Sequence, residues 1–303
     1  MNAETEAGAG ASRRIAEGAL YVAIGSSFAA GPGIPPIVER RAGRSGRNYP
    51  HQVADALGLR LTDVTRSGAT TADVLEGRRG VPPQVGAVTA GTALVTITVG
   101  GNDLGYIGGL IKAGLAAAIA RRLDPQDRAD RSRADRDRAD RDRGGRLSRM
   151  AARWVRDRVS LEVDGDRVEA AERAMTAVGE AVRRRAPAAR VLFVDYLTIV
   201  GSCERAAVVP APLLPLTPAE LRQAARTAEL LAAAFAAAAE RSGAELVRAS
   251  AASLGHGPLS PEPWVTGYEG SLLRRKAAVP YHPTLTGMTA VAGLVVEHLR
   301  THP

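Results

Sequence analysis

Residues 93–103 read ALVTITVGGND. Ala93–Val99 is a short continuous run of apolar and β-branched residues, as expected of a strand buried on both faces. It empties into Gly100-Gly101-Asn102-Asp103, where paired glycines permit a tight turn and place Asn102 at the carboxyl end of the strand. Residues 21–31, YVAIGSSFAAG, repeat the pattern: an apolar strand, about Leu20–Ile24, runs into small residues and the pair Ser26-Ser27.

Working outward, further strands are expected at Leu59–Thr65, Ala189–Val194 and Glu245–Arg248. Helical patterns separate them. NYPHQVADALG (48–58) carries Pro50 near its first turn and Gly58 at its end. After Ser67-Gly68-Ala69, Thr70 or Thr71 caps a helix beginning ADVL. Thr217–Arg241 has a Thr cap, Pro218 at its first position and Ala and Leu throughout. Thr284–Leu299 closes the chain. The Gly/Pro-rich piece 31–50 reads as a loop up to that first helix. Strands alternating with helices predict a flavodoxin-like α/β three-layer sandwich: a parallel sheet of about five strands, order 2-1-3-4-5, with helices on both faces. Sites in such sheets lie at strand carboxyl ends, near the switch point between strands one and three. Ser27 follows the one and Asn102 the other.

The order of these blocks, ending in Tyr281-His282-Pro283 before the last helix, resembles the SGNH (GDSL) hydrolase family over about residues 19–300. The resemblance implies a serine esterase or lipase-like hydrolase acting on small-molecule esters through an acyl-enzyme. By motif position the nucleophile falls on Ser27 and the base on His282. The oxyanion donors fall on the N–H groups of Ser27 and Gly68 and the amide of Asn102. Two positions depart from the family pattern. The first block reads GSSF, with Ser26 where the family has Asp, and the last reads VPYH, with Val279 where the family has the acid. Candidate partners for His282 are therefore the backbone carbonyl of Val279 and the side chains of Glu262 and Glu269. The altered blocks also motivate a rival reading, a catalytically retired module that binds a ligand or a partner.

Residue by residue, Ser26 and Ser27 are also plausible helix caps, His282 a packing histidine, and Asp103 a brace for the GGND turn. Phe28, Tyr106, Trp264 and Tyr281 are candidates for an acyl or alcohol pocket and equally for buried filler. His298 and His302, four apart, lack the further ligands a metal needs. No phosphate-loop, dinucleotide, CxxC or HExxH signature is present, so no metal or organic cofactor is implied.

Composition sets the remaining expectations. The 303 residues are 45% hydrophobic but only 4% aromatic, so the core must be built from Ala, Val and Leu. Residues 1–18 read as a flexible tail, and 19–303 as one hydrolase domain with a charged insert at about 121–158. Arg121–Arg158 holds fourteen Arg against eight Asp, so it carries most of the net charge of +8. The repeat DRADRSRADRDRADRDR (127–143) has no apolar stripe to pack on a core, and no aromatic interleaves it. Nucleic acid is therefore not an expected partner. Arg146–Arg158 does have apolar spacing, and Trp154 could anchor it to the body or, peripherally, to a membrane surface. No apolar run reaches transmembrane length. One cysteine, Cys203, and a start without a signal-like apolar run make cytoplasmic residence the expectation.

Overall fold

The computed structural model describes residues 15–123, 161–201, 213–268 and 279–302. The Arg/Asp repeat, Trp154, Cys203, Glu269 and most of the N-terminal tail lie outside them.

Five parallel strands form the central sheet: β1 (Leu20–Gly25), β4 (Arg60–Asp63), β5 (Thr92–Thr98), β6 (Arg190–Val194) and β7 (Glu245–Val247). Their order is β4-β1-β5-β6-β7, every neighbouring pair parallel. The numbering departs from the expected one because 31–50 is more than a loop. It contains an antiparallel ribbon, β2 (Ile37–Glu39) with β3 (Arg44–Ser45).

The helices are α1 (Ser27–Ala30), α2 (Tyr49–Leu57), α3 (Thr71–Leu75), α4 (Tyr106–Leu123), α5 (Gly165–Arg185), α6 (Pro218–Ser242), α7 (Ala249–Ala252) and α8 (Leu285–Thr301). Local chemistry sets their ends. The Asn48 side chain accepts from the N–H of His51, and Gly58 takes the left-handed conformation that stops α2. Thr70 with Asp73 and Thr217 with Glu220 form capping boxes that start α3 and α6. The connection through α2 steps one way along the sheet, and those through α5 and α6 step the other. Right-handed crossovers then put these helices on opposite faces. Accordingly α2 packs with α8, and α5 packs with α6.

The central strands are apolar because both faces are covered. β6 is buried along its whole length and β1 from Tyr21 onward. Two tyrosine hydroxyls within this core are paired across strands: Tyr21 Oη with Thr96 Oγ1 at 2.7 Å, and Tyr49 Oη with Thr98 Oγ1 at 3.0 Å. Leaving such groups unpaired would cost about 1–3 kcal/mol each. No helix among the described residues is long and apolar enough to cross a membrane.

Candidate active site

The connections leaving β1, β4 and β5 meet where the strand order turns, as sheet geometry requires. β1 ends at Gly25, whose N–H donates to Gln84 Oε1 (2.7 Å) and whose carbonyl accepts from Gln84 Nε2 (3.1 Å). Ser26 follows as N-cap of α1 without a side-chain capping bond, its own N–H donating to Thr98 O at 2.8 Å. The Ser26 hydroxyl instead shares a 2.5 Å hydrogen bond with the Tyr196 hydroxyl, beyond the end of β6. Ser26 is thus wholly buried and occupied. Ser27 is the first residue of α1, 5% exposed, and its hydroxyl has no hydrogen-bond partner among the described residues.

The second and third blocks are tied together. Asp103 accepts from Thr71 Oγ1 (2.5 Å) and from the Thr71 N–H (3.2 Å), so it braces the GGND turn against the start of α3. Burial raises the Asp103 carboxyl above its ordinary range, and the Thr71 bonds oppose this. Asn102 Nδ2 donates to Ala69 O at 2.8 Å, aiming the amide at the Gly68 loop and leaving a second N–H. Gly68 has φ +77°, and a Cβ there would meet nothing within 4 Å. Its surroundings are open, and only glycine takes that backbone conformation without strain. A Cβ on Gly101, by contrast, would lie 2.7 Å from the Tyr196 ring, so that glycine is needed for close approach.

The histidine block arrives from the far end of the chain. Thr266 clamps it: its Oγ1 donates to Val279 O (2.6 Å) and accepts from His282 N–H (3.0 Å), while its own N–H donates to His282 O (2.8 Å). Tyr281, fully buried, sits at φ +59°, a left-handed conformation costly for an aromatic residue and tolerated only where the surroundings impose it. That turn brings the carbonyl of Pro280 to the imidazole of His282, with Nδ1 to O at 2.8 Å.

The expected partners of His282 therefore need correction. The acceptor is a main-chain carbonyl, but it belongs to Pro280. The Val279 carbonyl is taken by Thr266. The Glu262 carboxylate lies exposed beside His256, 3.8 Å from its Nδ1. A buried acid on this edge, Asp195, is engaged with Ser250 through its hydroxyl (2.5 Å) and N–H (2.7 Å). Burial pushes the Asp195 carboxyl up to about 6.

His282 is 7% exposed, and burial lowers its imidazole to about 4 against the weaker opposing effect of the Pro280 bond. At neutral pH it is uncharged with Nδ1–H donated, so the Nε2 lone pair is free to take a proton. Its ring lies 5.7 Å from that of Phe28, the residue after Ser27, and Phe28 in turn lies 4.3 Å from Tyr196. No hydrogen bond joins Ser27 Oγ to His282 in this state. The site-forming residues that sequence reasoning missed are Gln84, Tyr196, Thr266 and Pro280. None stands in a recognisable motif.

Of the other expected pocket residues, Tyr106 lines a cavity of about 220 Å³ together with Tyr196, Leu197, Val200, Leu231 and Leu254. Trp264 stacks on His256 at 4.0 Å, and Tyr281 and Phe28 are buried.

A family model described as the GDSL-like Lipase/Acylhydrolase family matches residues 23–290. The chain belongs to this family. It is 34% identical over 287 residues to Lipase 2 of Streptomyces coelicolor, a match spanning 90% of this chain and 83% of that protein. Two solved structures share its fold. Phospholipase A1 from Streptomyces albidoflavus NA297 matches with a TM-score of 0.62 at 23% identity, over 94% of this chain and all of that one (100%). The extracellular lipase from Streptomyces rimosus matches with 0.61 at 23% identity and the same coverage, 94% and 100%. Membership of this family makes the chain an ester-hydrolysing enzyme and disfavours the retired-module reading.

Proposed function

We propose that Ser27 is the nucleophile and His282 the general base, and that the N–H groups of Ser27 and Gly68 and the Asn102 amide receive the oxyanion. One observation carries most of this reading: a buried, neutral imidazole with its Nδ1–H committed to Pro280 O and its ring beside the residue that follows Ser27.

As Ser27 Oγ attacks the acyl carbon, its proton passes to His282 Nε2. The tetrahedral oxyanion is held by the three donors. Collapse breaks the bond to the alcohol oxygen, which takes the proton from Nε2 and leaves an acyl-enzyme. Water then gives a proton to Nε2 and attacks the acyl carbon, and Ser27 recovers its proton as the acid departs. The imidazolium faces a neutral carbonyl, so it is stabilised less than beside a carboxylate and returns its proton readily.

The acyl chain is proposed to lie in the cavity beside Tyr196, whose hydroxyl reaches the nucleophile turn. Its 220 Å³ is about one and a half times the apolar volume that takes up benzene, which suits a short to medium chain. Residence in the cytoplasm, suggested by the single cysteine, belongs to the same proposal and is tested by cell fractionation.

The test of the chemistry is labelling with a fluorophosphonate and mapping of the adduct. Modification of Ser27, lost in Ser27→Ala, supports the reading. An adduct on Ser26, or labelling that survives Ser27→Ala, overturns it.

A further inference from the structure

Six large apolar side chains are exposed among the described residues: Ile37, Val38, Leu115, Leu213, Leu254 and Leu259. Five of them lie in connections between the carboxyl end of a sheet strand and the start of the next long helix, whereas Leu115 lies within such a helix, α4. In a parallel sheet those connections share one edge, and it is the edge that carries Ser27, Gly68, Asn102 and His282. A globular surface scatters such residues singly; gathering them at one edge marks a contact surface.

The β2–β3 ribbon carries two of these six side by side, including the most exposed, Val38. Val38 is 56% and Ile37 40% exposed, and all three residues of β2 face solvent. The same connection exposes Arg40, Arg41 and Arg47. Its one acid, Glu39, accepts the N–H of Arg41, while the remaining arginine, Arg44, is turned inward onto Thr65 O and Asp63. An apolar tip ringed by outward-facing arginines is the composition that inserts at an anionic lipid headgroup boundary.

The ribbon is also coupled to the site. Ser67 N–H, next to Gly68, donates to Ala42 O at 2.8 Å, and Arg66 Nη1 donates to Arg41 O at 2.8 Å. Gly33 lies against Val279, three residues before His282. The connection that carries the ribbon is thus in contact with both the loop of Gly68 and the loop of His282.

We propose that this edge docks on the surface of an anionic phospholipid bilayer, with Ile37 and Val38 inserted and Arg40, Arg41 and Arg47 against the headgroups. Docking sets the mouth of the crevice at the lipid. That it thereby delivers lipid esters rests on the ester-hydrolase reading, whereas the docking itself does not.

The experiment is flotation of the full chain with vesicles of phosphatidylcholine alone and of phosphatidylcholine mixed with phosphatidylglycerol, read beside turnover of soluble p-nitrophenyl acetate. Binding is expected to the mixed vesicles and to be weaker on phosphatidylcholine alone. Ile37→Asp with Val38→Asp should weaken it by about tenfold or more. Arg40→Gln with Arg41→Gln should weaken it by roughly fivefold per arginine. Leu115→Asp should leave binding unchanged, and all three variants should keep soluble-ester turnover. The docking proposal is overturned by absence of binding, by binding that ignores the ribbon variants, by equal loss in Leu115→Asp, or by equal affinity for both vesicles. A concentration-dependent dimer that Ile37→Asp abolishes would assign the edge to a second copy instead. Absent turnover of the soluble ester with intact vesicle binding would defeat the hydrolase reading and leave docking standing.

Discussion

The turn that carries Ser27 and the loop that carries His282 each lack an acid that the family pattern leads one to expect, and they are restored in opposite ways. At Ser26 the replacement is a side chain 170 residues away, the Tyr196 hydroxyl, with Gln84 adding two bonds to Gly25. At Val279 the replacement is local: a strained turn at Tyr281 lets His282 bond the carbonyl two residues before it. The nucleophile turn is held by side chains across the sheet edge and contains no group that titrates near neutrality. The histidine loop is held by main chain and by Thr266, and its central group titrates in the acid range. A position that loses its motif residue keeps its geometry if either a remote side chain or the backbone supplies the missing partner.

The comparison breaks first at the reacting atoms. Ser27→Ala and His282→Ala should each lower p-nitrophenyl acetate turnover by about 10⁴-fold or more, while Ser26→Ala keeps most of it. Equal losses at Ser26 and Ser27 would mean that the serine register has been misassigned. Next, Asn102→Ala should cost about 10²–10³-fold in kcat with the fold intact by circular dichroism. Unchanged turnover would reduce Asn102 to a turn residue that bonds Ala69.

Acid sharpens the contrast. The unfolded chain protonates His282 near 6.5 and the folded chain only near 4, so between these values the unfolded state binds more protons. Stability from this site is complete above pH 6.5 and falls as pH drops to 4, on the order of 3 kcal/mol in all. Asp195 acts oppositely: its folded carboxyl holds a proton to about pH 6, so its stabilisation fades as pH rises through that value. The Tm of the wild type should therefore fall relative to that of His282→Ala on acidification from pH 6.5 to 4. The acid limb of kcat/KM should lie near pH 4 rather than 6.5. A parallel pair of Tm curves would show that His282 is not held neutral by burial.

The nucleophile turn is probed by a double-mutant cycle. Tyr196→Phe strands the buried Ser26 hydroxyl and should cost about 1–3 kcal/mol, and much of that loss should vanish on the Ser26→Ala background. Additive losses would mean the two hydroxyls do not depend on one another. Smallest of all, Glu262→Gln should change turnover by less than about twofold, since an exposed carboxylate beside His256 contributes little. A large loss there would restore Glu262 as the acid partner.

What the sequence by itself determined is whatever short-range pattern encodes. The apolar runs at 20–24 and 93–99, Pro50, the Thr217 cap, Gly58 and the GGND turn announce strands, helix ends and the edge at which candidate residues gather. These signals depend on neighbours a few positions apart, so they survive in one dimension. The ribbon at 37–45 escaped because two strands of three and two residues carry too little periodicity to be seen among glycines and prolines. Only the tertiary structure decided that Tyr196 replaces the missing partner of Ser26, that Gln84 pins Gly25, and that Pro280 rather than Val279 or Glu262 holds His282. Each of those bonds depends on packing between distant segments or on one left-handed residue. Tyr281 adopts that conformation because the Thr266 clamp and its buried ring impose it, against its local preference.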